Sequence, residues 1–397
     1  MSTKKSVKTK TGIHQFLVAT SSTQDSNAAS LSATGDAQTE NERETPFTEY
    51  RLYVINRAGT GEASYLLMKE NFSTILSYRV HTETWRQTEG LQDFGVLVLG
   101  KWIYVLGGYH KVQGVCLDRV MRYEPRADQW SECRNMLVAR CKFGVSVLAK
   151  KIFVCGGQRS DGKQTGSCEM YDPETDIWTK CGMLVAPRSD TVCAAYGQEV
   201  LCAGGFHNGK VHNNLWVYEQ HTWQELDRHY PHMLPYSLQK CAVAAVKNTL
   251  YFIGGSSSKE QQVEEGSGEK VSVTMLRTER RMFSYTTQIS AGDGHSKGAQ
   301  LDLISPWNLK LPPMIHARQN AGAVTIGQKI HVVGGTSVET GDPVIKSEHF
   351  DLVRGTWHED FVLKNCDVSN VSCLLVEVPK IPFKDRRIMQ RLKWVMW

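Results

Sequence analysis

The sequence predicts an all-β fold, a six-bladed β-propeller closed by its C-terminal strand, and three recurrences carry that prediction. Glycine pairs stand at Gly107/Gly108, Gly156/Gly157, Gly204/Gly205, Gly254/Gly255 and Gly334/Gly335, at steps of 49, 48, 50 and 80 residues. Tryptophans keep the same beat at Trp85, Trp130, Trp178, Trp223, Trp307 and Trp357. Seven residues before four of them sit Tyr78, Tyr123, Tyr171 and Phe350, and before Trp223 the interval shortens to five, at Tyr218. Such a unit, repeated about every 50 residues, is one small sheet that can bury its faces only against its neighbours.

The stretch 143–178 displays the unit most cleanly. Two short apolar runs, FGVSVL at 143–148 and IFVC at 152–155, precede Gly156 and Gly157, and CEMYDPETDIW follows a polar loop. This reads as four antiparallel strands, with the glycines where the backbone must turn through positive φ and lie close to a neighbour. One tryptophan and one tyrosine per unit are assigned to packing between blades.

Taken in order, residues 1–49 begin with Lys4, Lys5, Lys8 and Lys10 and continue rich in Ser, Thr, Gln and Asn, which predicts a disordered segment. The propeller is expected over 50–378. Its first blade is degenerate: RLYVI at 51–55 takes the place of a second strand, Asn56-Arg57 replaces the glycine pair, and 75–85 supplies a last strand. First strands fall at 94–99, 143–148, 191–196, 241–246, 321–326 and 372–378, each after a tryptophan. The first blade therefore has none ahead of it, and the C-terminal SCLLVEV must fill the gap, removing an open sheet edge. The fifth blade is the long one. Its excess, at 256–270 and 289–300, is polar and glycine-rich, and is expected to form mobile loops outside the sheet. Residues 379–397 close the chain. Lys380, Lys384, Arg386, Arg387, Arg391 and Lys393 against Asp385 give them a net +5, the charge of the whole chain, and Ile388, Leu392 and Val395 have the spacing of a short amphipathic helix. That tail is expected either to meet an acidic partner or membrane surface or to pack under the propeller.

Motifs of catalysis are not found. Gly157 to Lys163 imitates a phosphate-cradling loop, but Gln164 stands where a hydroxyl must hold Mg²⁺, and a strand follows instead of a helix. His110 and His207 each lie two residues after a glycine pair, with His212 nearby, but in non-adjacent blades and without a recurring carboxylate. No catalytic residue, metal site or cofactor is expected. Eleven cysteines, an odd number without a CxxC, suit a reducing compartment. Among them Cys141, between Arg140 and Lys142, is the thiol whose neighbours favour the thiolate. The absence of any run of about 18 apolar residues and of a signal-peptide core adds to an expected cytoplasmic, or nuclear, location.

The segments IYVLGG (103–108), MLVARCKFGV (136–145), YDPETDIW (171–178) and YFIGG (251–255) resemble the kelch domain of the BTB-kelch, or Kelch-like, family over about residues 50–378. The resemblance implies a protein-binding propeller, used in that family with an upstream BTB–BACK region that recruits cullin-3 for ubiquitination. The 49 residues ahead of the propeller are too short for that region, so any such component is expected in trans. A free-standing scaffold, for example on actin filaments, is the alternative.

In similar propellers the partner meets the loop leading into each first strand and the residues after each glycine pair. Those positions hold Asp93, Lys142, Phe143, Asp190, Lys240 and Asn320, and Tyr109, Gln158, Phe206, Ser256 and Thr336. Alternating Asp and Lys among aromatics points to a mixed-charge or partly apolar peptide. With its excess charge in the tail, the propeller lacks the concentrated basic face that nucleic acid requires.

Overall fold

The computed structural model describes residues 48–68, 81–219, 222–225, 233–264, 270–286, 306–364 and 366–379. The expected N-terminal segment up to residue 47, Tyr78, the 289–300 insertion and the basic tail beyond Pro379 lie outside them. Every regular element among the described residues is a strand, and the strands form six blades.

Blade 2 is Gly95–Leu99, Trp102–Leu106, Val120–Glu124 and Gln129–Cys133, all antiparallel neighbours. Blade 3 repeats the order with Gly144–Leu148, Lys151–Cys155, Ser167–Asp172 and Ile177–Met183. Blade 4 begins at Val192–Tyr196, blade 5 at Ala242–Val246 and blade 6 at Gly322–Ile326. Blade 1 is built from both ends of the propeller. Val371–Pro379 pairs with Thr48–Asn56 over nine residues, Val54 opposite Cys373, and Ala58–Met68 and His81–Gln92 complete the sheet. The C-terminal strand therefore closes the ring as its sequence requires.

Six apolar clusters fill the six seams. Trp85, Ile103 and Tyr123 join blades 1 and 2, and Leu52, Val54, Ile326 and Val333 join blades 1 and 6 across the closure. The repeat aromatics meet within them: Tyr171 and Trp178 have ring centroids 5.0 Å apart, and the Trp178 indole donates to the Arg134 carbonyl at 2.8 Å. In blade 5 the partner of Trp307 is Tyr285, at 4.8 Å, a pairing hidden in the sequence by the long insertion between them.

The glycine pairs couple each blade to the next. The second glycine donates its N–H to a carbonyl of the segment leading into the following blade: Gly108 to Arg140 at 2.9 Å, Gly157 to Arg188 at 2.6 Å, Gly205 to Leu238 at 2.8 Å, Gly255 to Arg318 at 2.8 Å and Gly335 to Val368 at 2.7 Å. The first glycine lies against the same carbonyl. A Cβ on Gly204 would stand 2.1 Å from the Leu238 oxygen.

The residue four before the first strand sets how each seam is filled. In blades 3 and 6 it is a buried arginine. Arg140 donates to the Gly156 and Ser167 carbonyls at 2.6 and 2.7 Å and to Glu169, whose other oxygen accepts the Leu137 N–H. Arg318 donates to Gly334 at 3.0 Å and to Glu348 at 2.7 Å. In blade 4 Arg188 lies 4.6 Å over the Trp216 ring instead. In blades 2 and 5 the equivalents are Leu91 and Leu238, and the register puts Met121 and Phe283 where the glutamates stand. The glutamate thus occurs only where the arginine does, while blade 4 keeps the arginine with a tryptophan in the acid's place.

Where the sequence suggests a mobile loop at 256–270, the chain instead forms a ribbon: Ser256–Glu264 pairs with Lys270–Thr278 over nine residues. The β-branched Val271, Val273, Thr274 and Thr278 of its return strand supply the strand preference that the polar, glycine-rich first half concealed.

Two predictions follow from these contacts. Gly204 and Gly197 have similar backbones, φ +63° and +58°, but only Gly204 faces a carbonyl, nothing lying within 4 Å of a Cβ on Gly197. Gly197→Ala should cost only the strain of a positive φ, about 1–2 kcal/mol, whereas Gly204→Ala should cost clearly more by breaking the blade 4–5 coupling; equal losses in denaturant unfolding would remove the steric argument. Arg318→Leu should lose about 3–5 kcal/mol by leaving Glu348 buried without its cation, and adding Glu348→Met, the pattern of blade 2, should recover much of that loss. A double variant no more stable than the single one would refute the exchange.

Candidate interaction surface at the channel mouth

One residue per blade rings the mouth of the central channel. Asp93, Lys142, Asp190, Lys240 and Asn320 share a left-handed backbone, with φ between 51° and 56°. Their N–H groups donate in sequence around the ring: Asp93 to the Arg57 carbonyl at 3.0 Å, Lys142 to Asp93 at 3.0 Å, Asp190 to Lys142 at 2.8 Å, Lys240 to Asp190 at 3.2 Å and Asn320 to Lys240 at 3.0 Å. Val371 donates to Asn320 at 3.1 Å, and Arg57 to Asn370 at 2.8 Å, closing the belt. Asp and Asn adopt this conformation readily. Lys142 and Lys240 do so at a cost, held there by the belt.

The six side chains alternate in charge: Arg57, Asp93, Lys142, Asp190, Lys240, and then the neutral Asn320. They line a cavity of about 230 Å³. Burial pushes the Asp190 carboxyl up, with Lys240 and Lys142 opposing it, and burial lowers Arg57 against the pull of Asp93 and Asp190. Asp93 is held by the Asn370 amide at 2.8 Å.

The residues after the glycine pairs form a second circle, backbone-paired to the residue before each ring member. Tyr109 pairs with Gln92, Gln158 with Cys141, Phe206 with Ser189, Ser256 with Gln239, and Thr336 with Gln319. Tyr109, Gln158, Phe206 and Thr336 are half-buried. Two of the expected rim residues are not on the surface. Phe143 is buried in the seam between blades 2 and 3, because it begins an inward strand and its ring fills the space beside Gly95. Ser256 is fully buried because the blade 5 ribbon starts there.

That ribbon is what a reading by repeat misses. Its return strand exposes Met275 and Leu276, 52% and 44% accessible. Its base is pinned to blade 6, where Glu339 accepts from the Thr278 N–H at 3.0 Å and hydroxyl at 2.6 Å and from the Ser337 hydroxyl at 2.9 Å. Alternating β-branched residues at 271–274 were the available signal.

The other singled-out groups resolve individually. The loop 157–163 is a turn in which Gln158 Nε2 donates to the Gly162 carbonyl, with no helix after it. His207 and His212 stand 6.4 Å apart between ring centroids, while the His110 ring nitrogen accepts the Gln113 N–H. The acidic thiol is not Cys141. Its hydrogen bond with Cys116, and then burial, push Cys141 up, and that same bond holds Cys116 at about 7 against its own burial, with Ser160 and Lys142 assisting. The Lys142 charge lowers both sulfurs.

The KLHDC2/KLHL20/DRC7 Kelch-repeats domain model matches residues 93–287. Kelch-like protein 23 of Homo sapiens is 25% identical over 286 residues, 70% of this chain and 43% of its own length. Kelch-like protein 36 of Bos taurus is 23% identical over 301 residues, 74% and 43% of the two chains. The solved structure of YjhT superposes with a TM-score of 0.59 at 12% identity, covering 81% of this chain and 99% of its own, a likeness of fold alone. The fold and these likenesses together define a propeller of the protein-interaction kind. The chain belongs to the kelch-repeat propellers, and it spans less than half the length of the Kelch-like relatives it matches.

The ribbon anchor is pH-dependent. Burial raises the Glu339 carboxyl, but the Thr278 and Ser337 hydrogen bonds outweigh it and hold it at about 2, against an ordinary 4.5. Its folded value being the lower, the anchor contributes fully above pH 4.5 and is lost as pH falls toward 2. Amide exchange at 270–278 should be faster in Glu339→Gln than in the native chain near neutral pH, and the difference should shrink across that window; a constant difference would mean that the carboxylate charge is irrelevant.

Proposed function

We propose that this propeller holds a protein partner across the channel mouth, as a non-enzymatic recognition module serving a cullin-3-type ubiquitin ligase whose recruiting component is supplied with or beside it. The observation that carries the binding reading is the charged belt. In ring order every cation is followed by an acid except at Asn320, which leaves Lys240 and Arg57 flanking a position without one. A partner that brings a carboxylate there, with apolar side chains for Tyr109, Phe206, Met275 and Leu276, completes the pattern. The likeness to Kelch-like proteins supports the ligase assignment, and unlinked thiols support a reducing compartment.

The test is affinity capture with the full chain and with a Tyr109→Ala/Lys142→Ala/Phe206→Ala/Lys240→Ala variant of matched melting temperature. Each aromatic or basic anchor should be worth about 2 kcal/mol or more, so the variant should lose its specific partners entirely. Unchanged capture would overturn the mouth as the site. Cullin-3 or BTB proteins in the native eluate are expected; cytoskeletal proteins without any ligase component would overturn the ligase assignment and favour a scaffold.

A further inference from the structure

Blade 6 departs from its neighbours at one register position. Across the second, third and fourth strands, blade 2 has Tyr104, Arg122 and Ser131, and blade 3 has Phe153, Met170 and Thr179. Blade 4 has Leu201, Val217 and Gln224, and blade 5 has Tyr251, Ser284 and Asn308. In blade 6 the same three positions are His331, His349 and His358. Side chains alternate along a strand, and Ile330, Val332 and Phe350 face blade 5. His331 and His349 therefore face the other way, toward the seam with blade 1 where the ring closes.

Asp360 meets them there. Its Oδ2 lies 2.8 Å from His331 Nδ1 and its Oδ1 2.5 Å from His349 Nδ1. Both histidines are buried, and Asp360 keeps 15% of its side chain accessible, which leaves a way in from solvent. One ligand atom from each of the three residues falls within 4.8 Å of the others, the one such cluster among the described residues. His358 stacks on His349 at 5.2 Å between centroids, with its Nε2 on the Thr356 hydroxyl.

We propose that His331, His349 and Asp360 bind one divalent transition-metal ion of the zinc class. Two imidazole nitrogens and one carboxylate oxygen are the donor set such an ion takes, with a fourth position open to water. Bonds of about 2.0–2.2 Å put tetrahedral donors roughly 3.4 Å apart. The 2.8 and 2.5 Å contacts then need to open by about 0.6 and 0.9 Å, within side-chain rotation. On binding, each Nδ1 gives its lone pair to the ion, and any proton it carries passes to Nε2 or to solvent. An ion held by the second, third and fourth strands clamps blade 6 beside the seam that the C-terminal strand closes.

The experiment uses the untagged full chain, stripped with chelator and titrated with Zn²⁺ by calorimetry and with Co²⁺ by visible absorption. One ion per chain is expected, together with a Co²⁺ spectrum free of thiolate charge-transfer bands and a melting temperature raised by Zn²⁺. His331→Gln, His349→Gln and Asp360→Asn should each weaken binding by more than the roughly 10–100-fold that even an outer-shell partner is worth. His110→Gln/His207→Gln should leave it unchanged. Absence of stoichiometric binding, a thiolate band, or loss of binding in the control variant would each overturn the site. Should a triad variant fail to fold, the native chain's stoichiometry and Co²⁺ spectrum still decide.

Discussion

The propeller depends on one carbonyl per seam. At five of the six seams the segment leading into a blade turns a backbone oxygen toward the preceding blade, and that oxygen accepts the N–H of a second glycine while the first glycine packs against it. Two constraints act at once: the backbone there has positive φ, and the space for a side chain is already occupied. Glycine alone meets both. The period of about 50 residues is therefore the spacing of inter-blade hydrogen bonds, and the apolar clusters fill in around a spacing those bonds set. Blade 1, with Asn56 and Arg57 in place of the pair, is held otherwise. Its Asn56 amide donates to the Asp367 carbonyl at 2.7 Å, and the C-terminal strand supplies nine residues of backbone pairing.

Around that carbonyl the chain uses two solutions. Arg140 and Arg318 neutralise their glutamates and donate to five carbonyls between them, with Arg318 Nε left unpaired. Leu91 and Leu238 meet apolar residues instead. A buried ion pair is seldom more stabilising than an apolar pair of similar volume. The arginines are better understood as fixing geometry, each tying the lead-in segment to two strands of its own blade. Blade 4 stands between these solutions, its Arg188 stacked on Trp216 and bonded to Asn214 at 2.8 Å.

Blade count, strand order and ring closure were legible because each rests on a local signal repeated five or six times. A missing strand at one end and a surplus strand at the other could be matched by counting. What escaped was whatever a single blade does alone. The ribbon of blade 5 looked like a loop because its polar half came first, and Trp307 lost its tyrosine to an insertion. Phe143 was placed on the rim because sequence position locates it at the mouth without saying which way its ring points. Arg140 and Lys142 beside Cys141 in sequence favour its thiolate, but contact with Cys116 across the fold and burial push that thiol up. The histidines of blade 6 were invisible for a related reason. His331, His349 and Asp360 are 18 and 11 residues apart, a spacing that matches no metal motif, and only strand register brings them together.

The mouth joins the structural and functional readings. Lys142 and Lys240 occupy a backbone conformation that Asn or Asp would fill with less strain, as Asp93, Asp190 and Asn320 do in the same belt. Stability of the belt alone would favour the short side chains throughout. Lysine there places an ammonium on a flexible stem at the channel opening, Lys142 between Asp93 and Asp190 and Lys240 between Asp190 and Asn320, and it costs the fold a little at each position. Lys150 and Lys247 take the same backbone in turns between first and second strands, so what sets the belt apart is the alternation of charge around it. The hydrogen-bonded belt uses only backbone atoms and does not dictate that alternation; under the function proposed above, a partner would read it.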